Sequence, residues 1–160
     1  MPQKYEFTEN GNEYTFETDN NVLYSIQLLK GTHYFKEIEP FIPIYELSIA
    51  IKNTDSSVFA PTDKRVEVTI MAILEDFFTI NVNSLLYICD NNDGRHHARK
   101  RKFDSWFIRN STPTFEKYDL DFIVEDFEIL ASLIVHRQNS YKTDLVRLFF
   151  EQPKEYGKDV

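Results

Sequence analysis

The period of the hydrophobic pattern changes after the first third of this chain, and the change restricts the folds open to it. In residues 4–52 apolar and polar residues alternate, as in "YELSIAIK" of residues 45–52, which is the pattern of half-buried strands. Between residues 61 and 81 the apolar residues recur at helical spacing instead. "SLLYICD" then follows, apolar on both faces, as a buried central strand. Strands followed by a mixture of helices and strands are typical of an α+β fold.

The sequence predicts a mainly antiparallel sheet with about three packed helices. An N-terminal hairpin turns at Asn10-Gly11, and two further strands complete a meander. "YDLDFIVEDF" is a late strand, whereas residues 129–137 fit either a strand or a helix. The predicted elements are strands at 4–8, 13–18, 21–29 and 45–52, and helices within 61–81, over about 94–109 and after Ser140.

Length and composition predict one domain over residues 1–152, followed by a frayed tail at 153–160. Apolar residues make up 42% of the 160, enough for a sizeable core. The single Cys89 excludes an internal disulfide and a cysteine-based zinc site. The polar start "MPQKYEFTEN" is unlike a signal segment, and no apolar run approaches the ~18 residues of a membrane span. We expect a cytoplasmic protein without a membrane partner.

Positive charge is concentrated in one place although the formal net charge is −8. The turn and helix after "SLLYICD" carry five cations within eight residues, and residues 116–128 carry six acids against one lysine. The overall charge argues against general coating of nucleic acid, but a local basic patch remains a candidate contact surface. The five cations are Arg95, Arg99, Lys100, Arg101 and Lys102.

The turn before the basic helix is the first candidate site. On a helical wheel Arg95 and Arg99 lean inward, near the end of the strand that supplies Asp90. Inward arginines need partners, because an unpaired buried charge is costly. One interpretation is a structural clasp, in which Asp90 and Asp93 pair with the two arginines. The other is an anion-binding notch, in which the arginines and the amides of Asp93 and Gly94 meet a phosphate or carboxylate.

The outward face of the same helix is the second candidate site. Arg101, Lys102 and Arg109 point away from the predicted core. They are either solvated, or paired with the acidic residues 116–128, or in contact with nucleic acid or an acidic protein. Trp106 has helical spacing to the core and is expected to pack there rather than stack on bases.

No metal site and no cofactor are expected. "CDNNDG" does not fit a calcium loop, which needs an acid at its first position and a glutamate at its twelfth. His96 and His97 point about 100° apart on a helix, so only His96 would join Asp90 and Asp93. Neither a nucleophile elbow nor a P-loop is present. A nuclease-like cluster of Asp90, Asp93 and His96 remains as the catalytic alternative.

The sequence also resembles two known families. "YICDNNDGRHHARKRKFDSWF", preceded by "RVEVTIMAILEDFF", closely resembles a family of small Bacteroidota proteins of unknown function. More distantly, the strand–helix–strand–helix–strand order of residues 45–124 is similar to the GNAT acyltransferase fold. That resemblance implies a glycine-rich, phosphate-binding turn before the first helix, but "SVFAPTDKRV" stands there, without glycine and with Pro61 removing an amide.

Three hypotheses follow for function. The first is a binding or regulatory module that contacts nucleic acid or an acidic partner through residues 90–109. The second is an enzyme, either a GNAT-like acyltransferase or an RNase-type toxin of a toxin–antitoxin or defence locus. It predicts that Asp90, Asp93, Arg95, Arg99 and His96 converge. The third is a structural or oligomerising protein whose basic helix pairs internally with residues 116–128.

Overall fold

The computed structural model of the protein describes residues 3–35, 42–53, 62–110 and 112–156. Within these residues the chain forms seven strands and three α-helices, in agreement with the predicted α+β class. In chain order the elements are β1 (Thr8–Asn10), β2 (Glu13–Glu17), β3 (Leu23–Lys30), β4 (Ile44–Ile51), α1 (Lys64–Phe77), β5 (Ser84–Asp90), α2 (His96–Asn110), β6 (Phe115–Val124), β7 (Phe127–His136) and α3 (Lys142–Tyr156).

The strands form one mixed sheet in the order β1-β2-β3-β4-β5-β7-β6. The first four make the predicted antiparallel meander, and α1 connects β4 to the parallel β5. β4 and β5 pair only from Ile44 with Ser84 to Glu46 with Leu86, whereas β5 pairs with β7 along its whole length. The predicted strand–helix–strand–helix–strand order of residues 45–124 is therefore present.

Helices cover both faces of the sheet, and each covered face has its own apolar core. α1 and α2 pack on one face around Ile70, Leu74 and Phe103. α3 packs on the other face with Leu145 and Phe149. Successive residues of β5 point into the two cores in turn, which explains its continuous apolar sequence. The C-terminal end of β5 and the turn that follows it therefore lead directly into α2.

Residues 129–137, which the pattern leaves undecided, lie mostly in β7 and end just beyond it. β7 lies between β5 and β6 and is buried on both faces over most of its length, so its sequence has no period of two. β1 (Thr8–Asn10) shares only Thr8 with the strand predicted at residues 4–8, and the backbone N–H of Tyr5 bonds to Oγ1 of Thr69 on α1 at 2.8 Å instead of joining the sheet.

The last helix is longer than expected. α3 extends to Tyr156, beyond residue 153 where the predicted tail begins.

Asp63 caps α1 by accepting a hydrogen bond from the N–H of Arg65. Residues 57–61 of "SVFAPTDKRV", the segment that the GNAT resemblance singles out, lie outside the described residues. Among the described helices none is long and apolar enough to cross a membrane.

Candidate binding surface on the basic helix

The turn before α2 is closed by its own side chains. Gly94 has φ of +72°, a left-handed conformation that favours glycine, and its N–H donates to the carbonyl of Asn91 at 3.3 Å. Oδ1 of Asp93 accepts from the N–H of Arg95 at 3.0 Å. Asp90 uses its carboxylate to accept from the N–H of Asn92. Of the two amides predicted to meet a bound anion, that of Gly94 is therefore engaged within the turn.

Arg99 forms the predicted clasp with Asp93. Its guanidinium donates to Oδ2 of Asp93 at 2.5 Å and to the backbone carbonyl of Asp90 at 3.2 Å. The hydrogen bond from Arg99, followed by that from the N–H of Arg95, holds the pKa of Asp93 below its usual value. The same contact with Asp93 raises the pKa of Arg99. An anion already sits at this helix N-terminus, and it is the carboxylate of Asp93.

Arg95 does not lean inward as the wheel predicts. The helix begins at His96, so Arg95 lies in the turn and the helical angle does not apply to it. Its side chain is exposed and has no ion-pair partner among the described residues. Asp90 likewise makes no carboxylate contact with either arginine within that part of the chain.

The most buried cation on α2 is one that the sequence pattern did not place at either candidate site. Lys100 is only 7% exposed, because it lies on the buried stripe His96, Lys100, Phe103 and Phe107, spaced i, i+4, i+7, i+11. Its ammonium contacts Asp104 at 2.9 Å and Asp119 of β6 at 2.7 Å. The spacing of this stripe is the sequence signal that could have shown the burial of Lys100, since Lys100 lies three residues before the buried Phe103.

The carboxylate of Asp119 accepts hydrogen bonds from side chains of three elements, α2, β6 and β7. Lys100 and Lys117 contact its Oδ1 at 2.7 Å and 2.6 Å, and the hydroxyl of Ser132 donates to the same atom at 2.7 Å. Burial alone would raise the pKa of Asp119, but these hydrogen bonds outweigh burial and lower it to about 2. Lys117 also contacts Asp104 at 2.7 Å. This Lys–Asp network joins α2 to β6 and β7.

Arg109 at the end of α2 is paired, with a partner that was not predicted. Its guanidinium donates to both carboxylate oxygens of Glu67 on α1, at 3.0 Å and 3.1 Å. Glu67 is 8% exposed and also accepts from the amide of Asn110 at 2.9 Å. Pairing of Arg109 with residues 116–128 is therefore wrong, because the C-terminal end of α2 packs on α1 rather than on β6.

Two cationic side chains of α2 lie on its outward face and form no ion pair in the described part of the chain. Arg101 and Lys102 are exposed. The ammonium of Lys102 lies 5.3 Å from the ring centre of Trp106, one turn further along. Trp106 is half-buried and packs against the core, as expected. With Arg95, these two residues make up the unpaired set, called the outer cations below.

His96 and His97 do not diverge as predicted. Nε2 of His96 lies 2.6 Å from Oε1 of Glu128 on β7, and Nε2 of His97 contacts the same oxygen. One carboxylate oxygen therefore bridges the two imidazoles. The hydrogen bond with His96, and then the nearby His97, lower the pKa of Glu128. Nothing in the sequence spacing indicates this contact.

The convergence expected of a nuclease-like site is not found among the described residues. Asp93 pairs with Arg99 at the surface, Arg95 is exposed in the turn, and His96 contacts Glu128 rather than either aspartate. Internal pairing with residues 116–128 is found for Lys100, His96 and His97 instead.

Comparisons with known proteins identify a family and one structural likeness. A family model described as "Family of unknown function (DUF6169)" matches residues 62–152, more than half of the chain. No curated protein matches. A solved structure of a CoA-dependent acyl-homoserine lactone synthase, MesI, is similar with a TM-score of 0.37 and 13% identity, over 93% of this chain and 71% of that chain. At this TM-score the likeness supports no conclusion about function.

Proposed function

The chain belongs to the family DUF6169, whose function is unknown, and from its own geometry we propose that it is a small binding module contacting a polyanion through the outer cations. The observation that supports this proposal is the separation of charges on α2. Arg99, Lys100 and Arg109 form ion pairs with carboxylates of the same chain. The outer cations Arg95, Arg101 and Lys102 are exposed and lack an ion pair among the described residues. We also propose that this family consists of Bacteroidota proteins and that the Asp-Gly-Arg turn is its characteristic motif.

Nucleic acid is the first candidate for the polyanion, through its phosphates. Lys102 covers part of the Trp106 ring, and the ring packs against the core, so α2 offers charge rather than a stacking platform. Contacts with phosphates alone do not distinguish one sequence from another. The net charge of −8 opposes long-range attraction, but it is screened beyond about 8–10 Å at physiological salt. The expected complex is therefore weak, local and independent of sequence.

An acidic protein is the second candidate. The helix that carries Arg101 and Lys102 also has an exposed apolar side chain, since Ile108 is 78% exposed. A protein interface would use such a side chain, whereas a phosphate backbone would not. Changing Ile108 therefore separates the two candidates.

Fluorescence-anisotropy titration of labelled single-stranded RNA and duplex DNA tests the proposal. Three phosphate contacts predict that log K falls with log salt with a slope of about 2 for RNA and about 3 for duplex DNA. The double variant Arg101→Glu/Lys102→Glu is expected to lose at least about tenfold in affinity, because two contacts become repulsive.

A matched control keeps the same overall charge. Lys30→Glu/Lys64→Glu also lowers the net charge by four, and both lysines are exposed on other elements, β3 and α1. It is expected to bind nearly as wild type does. Equal loss in both variants, or binding without salt dependence, contradicts a specific surface. If neither nucleic acid binds at low salt, the nucleic-acid candidate is wrong, and loss of a captured acidic protein on Ile108→Ser would support the second.

A further inference from the structure

We propose that His96, His97 and Glu128 form a binding site for a divalent transition metal ion of the zinc class. One ligand atom from each residue, an imidazole nitrogen of each histidine and a carboxylate oxygen of Glu128, lies within 4.8 Å of the others. This site is independent of the polyanion contact, since none of its three residues belongs to the outer cations.

The fold brings the three ligands together from two distant segments. His96 and His97 open α2, directly after the turn that follows β5. Glu128 is the second residue of β7, the strand next to β5 in the sheet. β6 and β7 form a hairpin with a tight turn, and Ile123 pairs with Glu128 next to that turn. This end of the hairpin lies at the start of α2, since Glu128 contacts His96. The amide of Asn91 donates to the carbonyl of Asp126 at 3.1 Å and ties the hairpin turn to the end of β5.

The donor set fits borderline metal ions better than hard ones. Two imidazole nitrogens and one carboxylate suit Zn²⁺, Co²⁺ or Ni²⁺, whereas Ca²⁺ and Mg²⁺ prefer oxygen ligands alone. Three protein ligands leave a fourth position open. The cluster lines an open depression of about 420 Å³, which gives that position access to water or a small ligand.

The surroundings of the depression favour a cation. Glu125 and Asp126 line it, together with Glu128, and no lysine or arginine is among its described lining residues. Two neighbouring cations are neutralised elsewhere, since Arg99 pairs with Asp93 and Lys100 with Asp119, and the unpaired Arg95 does not line the depression. The depression therefore lacks the cations that would repel a metal ion at this turn.

The two imidazoles have complementary roles in the proposed site. His96 is 8% exposed and held by packing, so it provides a fixed ligand. The side chain of His97 is 56% exposed and can adjust. In tetrahedral zinc sites the bonds are about 2.0–2.2 Å long, which separates ligand atoms by about 3.3 Å. Oε1 of Glu128 now lies 2.6 Å from Nε2 of His96, so the two atoms must move apart by about 0.7 Å when a metal enters.

One atom sets the site apart from the usual metal–histidine arrangement. Nδ1 of His96 is buried and has no hydrogen-bond partner among the described residues. Metal-bound histidines usually donate their second N–H to a carbonyl, a carboxylate or water, which orients the ring and strengthens binding. The missing contact predicts weaker binding than in structural zinc sites. Without a metal, the same three residues form a hydrogen-bonded triad in which Glu128 accepts from both rings.

Isothermal titration calorimetry of the untagged full chain, freed of metal by chelator and titrated with ZnCl₂, tests the site. We expect one ion per chain. His97→Ala and Glu128→Gln are expected to lose at least about tenfold in affinity, because even outer partners of metal ligands contribute that much. His136→Ala, at the opposite end of β7, is the matched control and should bind as wild type does.

Co²⁺ provides a second measurement that does not depend on heat. A visible absorption band from imidazole-bound Co²⁺ should form at one equivalent in wild type and be lost in His97→Ala. Thermal melting followed by circular dichroism shows that the variants are folded, as expected for the exposed His97. Absence of saturable binding, or unchanged affinity and absorption in both site variants, would overturn the proposal and leave the hydrogen-bonded triad.

Discussion

The inner and outer sides of α2 carry the same residue types in different surroundings. On the inner side Lys100 reaches Asp104 and Asp119 and is almost fully buried. On the outer side Arg101 and Lys102, its next neighbours in sequence, are exposed without an ion pair in the described chain. Position on the helix decides the difference, because only the inner side faces the carboxylates of β6. Cations close together in sequence thus stabilise the fold in one case and remain available for a partner in the other.

The largest expected effect is loss of the inner contact. Lys100→Ala removes the ammonium from two carboxylates and opens space at a buried position, so we expect a loss of about 2 kcal/mol in the free energy of unfolding. Arg101→Ala should change it by less than about 0.5 kcal/mol. Urea denaturation of both variants measures the contrast. Equal losses would mean that the two sides of α2 do not differ as described.

A smaller effect should appear as acid is added. The pKa of Asp119 is lowered to about 2, so its contribution to stability is present above the unfolded pKa of ~4 and is lost as pH falls towards 2. Because half of the side chain is exposed, we expect the contribution to be about 1 kcal/mol rather than the full value of the shift. Unfolding free energies of wild type and Asp119→Asn should differ at pH 5 and converge near pH 2.

Asp121→Asn is the matched control for that titration. Asp121 lies on the same strand, is exposed and has no ion pair in the described residues. Its unfolding free energy should follow wild type at every pH. A constant difference between wild type and Asp119→Asn down to pH 2 would contradict the role given to the Asp119 carboxylate.

The smallest expected effect concerns the clasp at the turn. Arg99→Gln removes the contact with Asp93, which is exposed and screened by water, so the urea midpoint should not move measurably. The turn itself should loosen, because Arg99 also holds the carbonyl of Asp90. Amide hydrogen exchange of Arg95 is expected to quicken while exchange in β5 is unchanged. A clear fall in the urea midpoint would show that the clasp supports the whole fold.

The site was less predictable than the fold, for reasons that particular residues make clear. The clasp of Arg99 with Asp93 was among the predicted alternatives, because its two partners lie six residues apart across one turn. Arg95 was misplaced because the start of a helix cannot be located to one residue from the pattern. The pairs Arg109–Glu67 and His97–Glu128 join residues far apart in sequence, and no local pattern carries that information.

Sequence alone determined the elements with a strong period: the antiparallel meander, the amphipathic α1 and the buried β5. Burial of an apolar face requires that pattern wherever the chain lies. Only the tertiary structure decided which carboxylate meets each cation, that β7 is a strand, and that two adjacent histidines share Glu128. These depend on strand order and register, in which segments from distant parts of the chain become neighbours, and the charge of a side chain does not specify its partner.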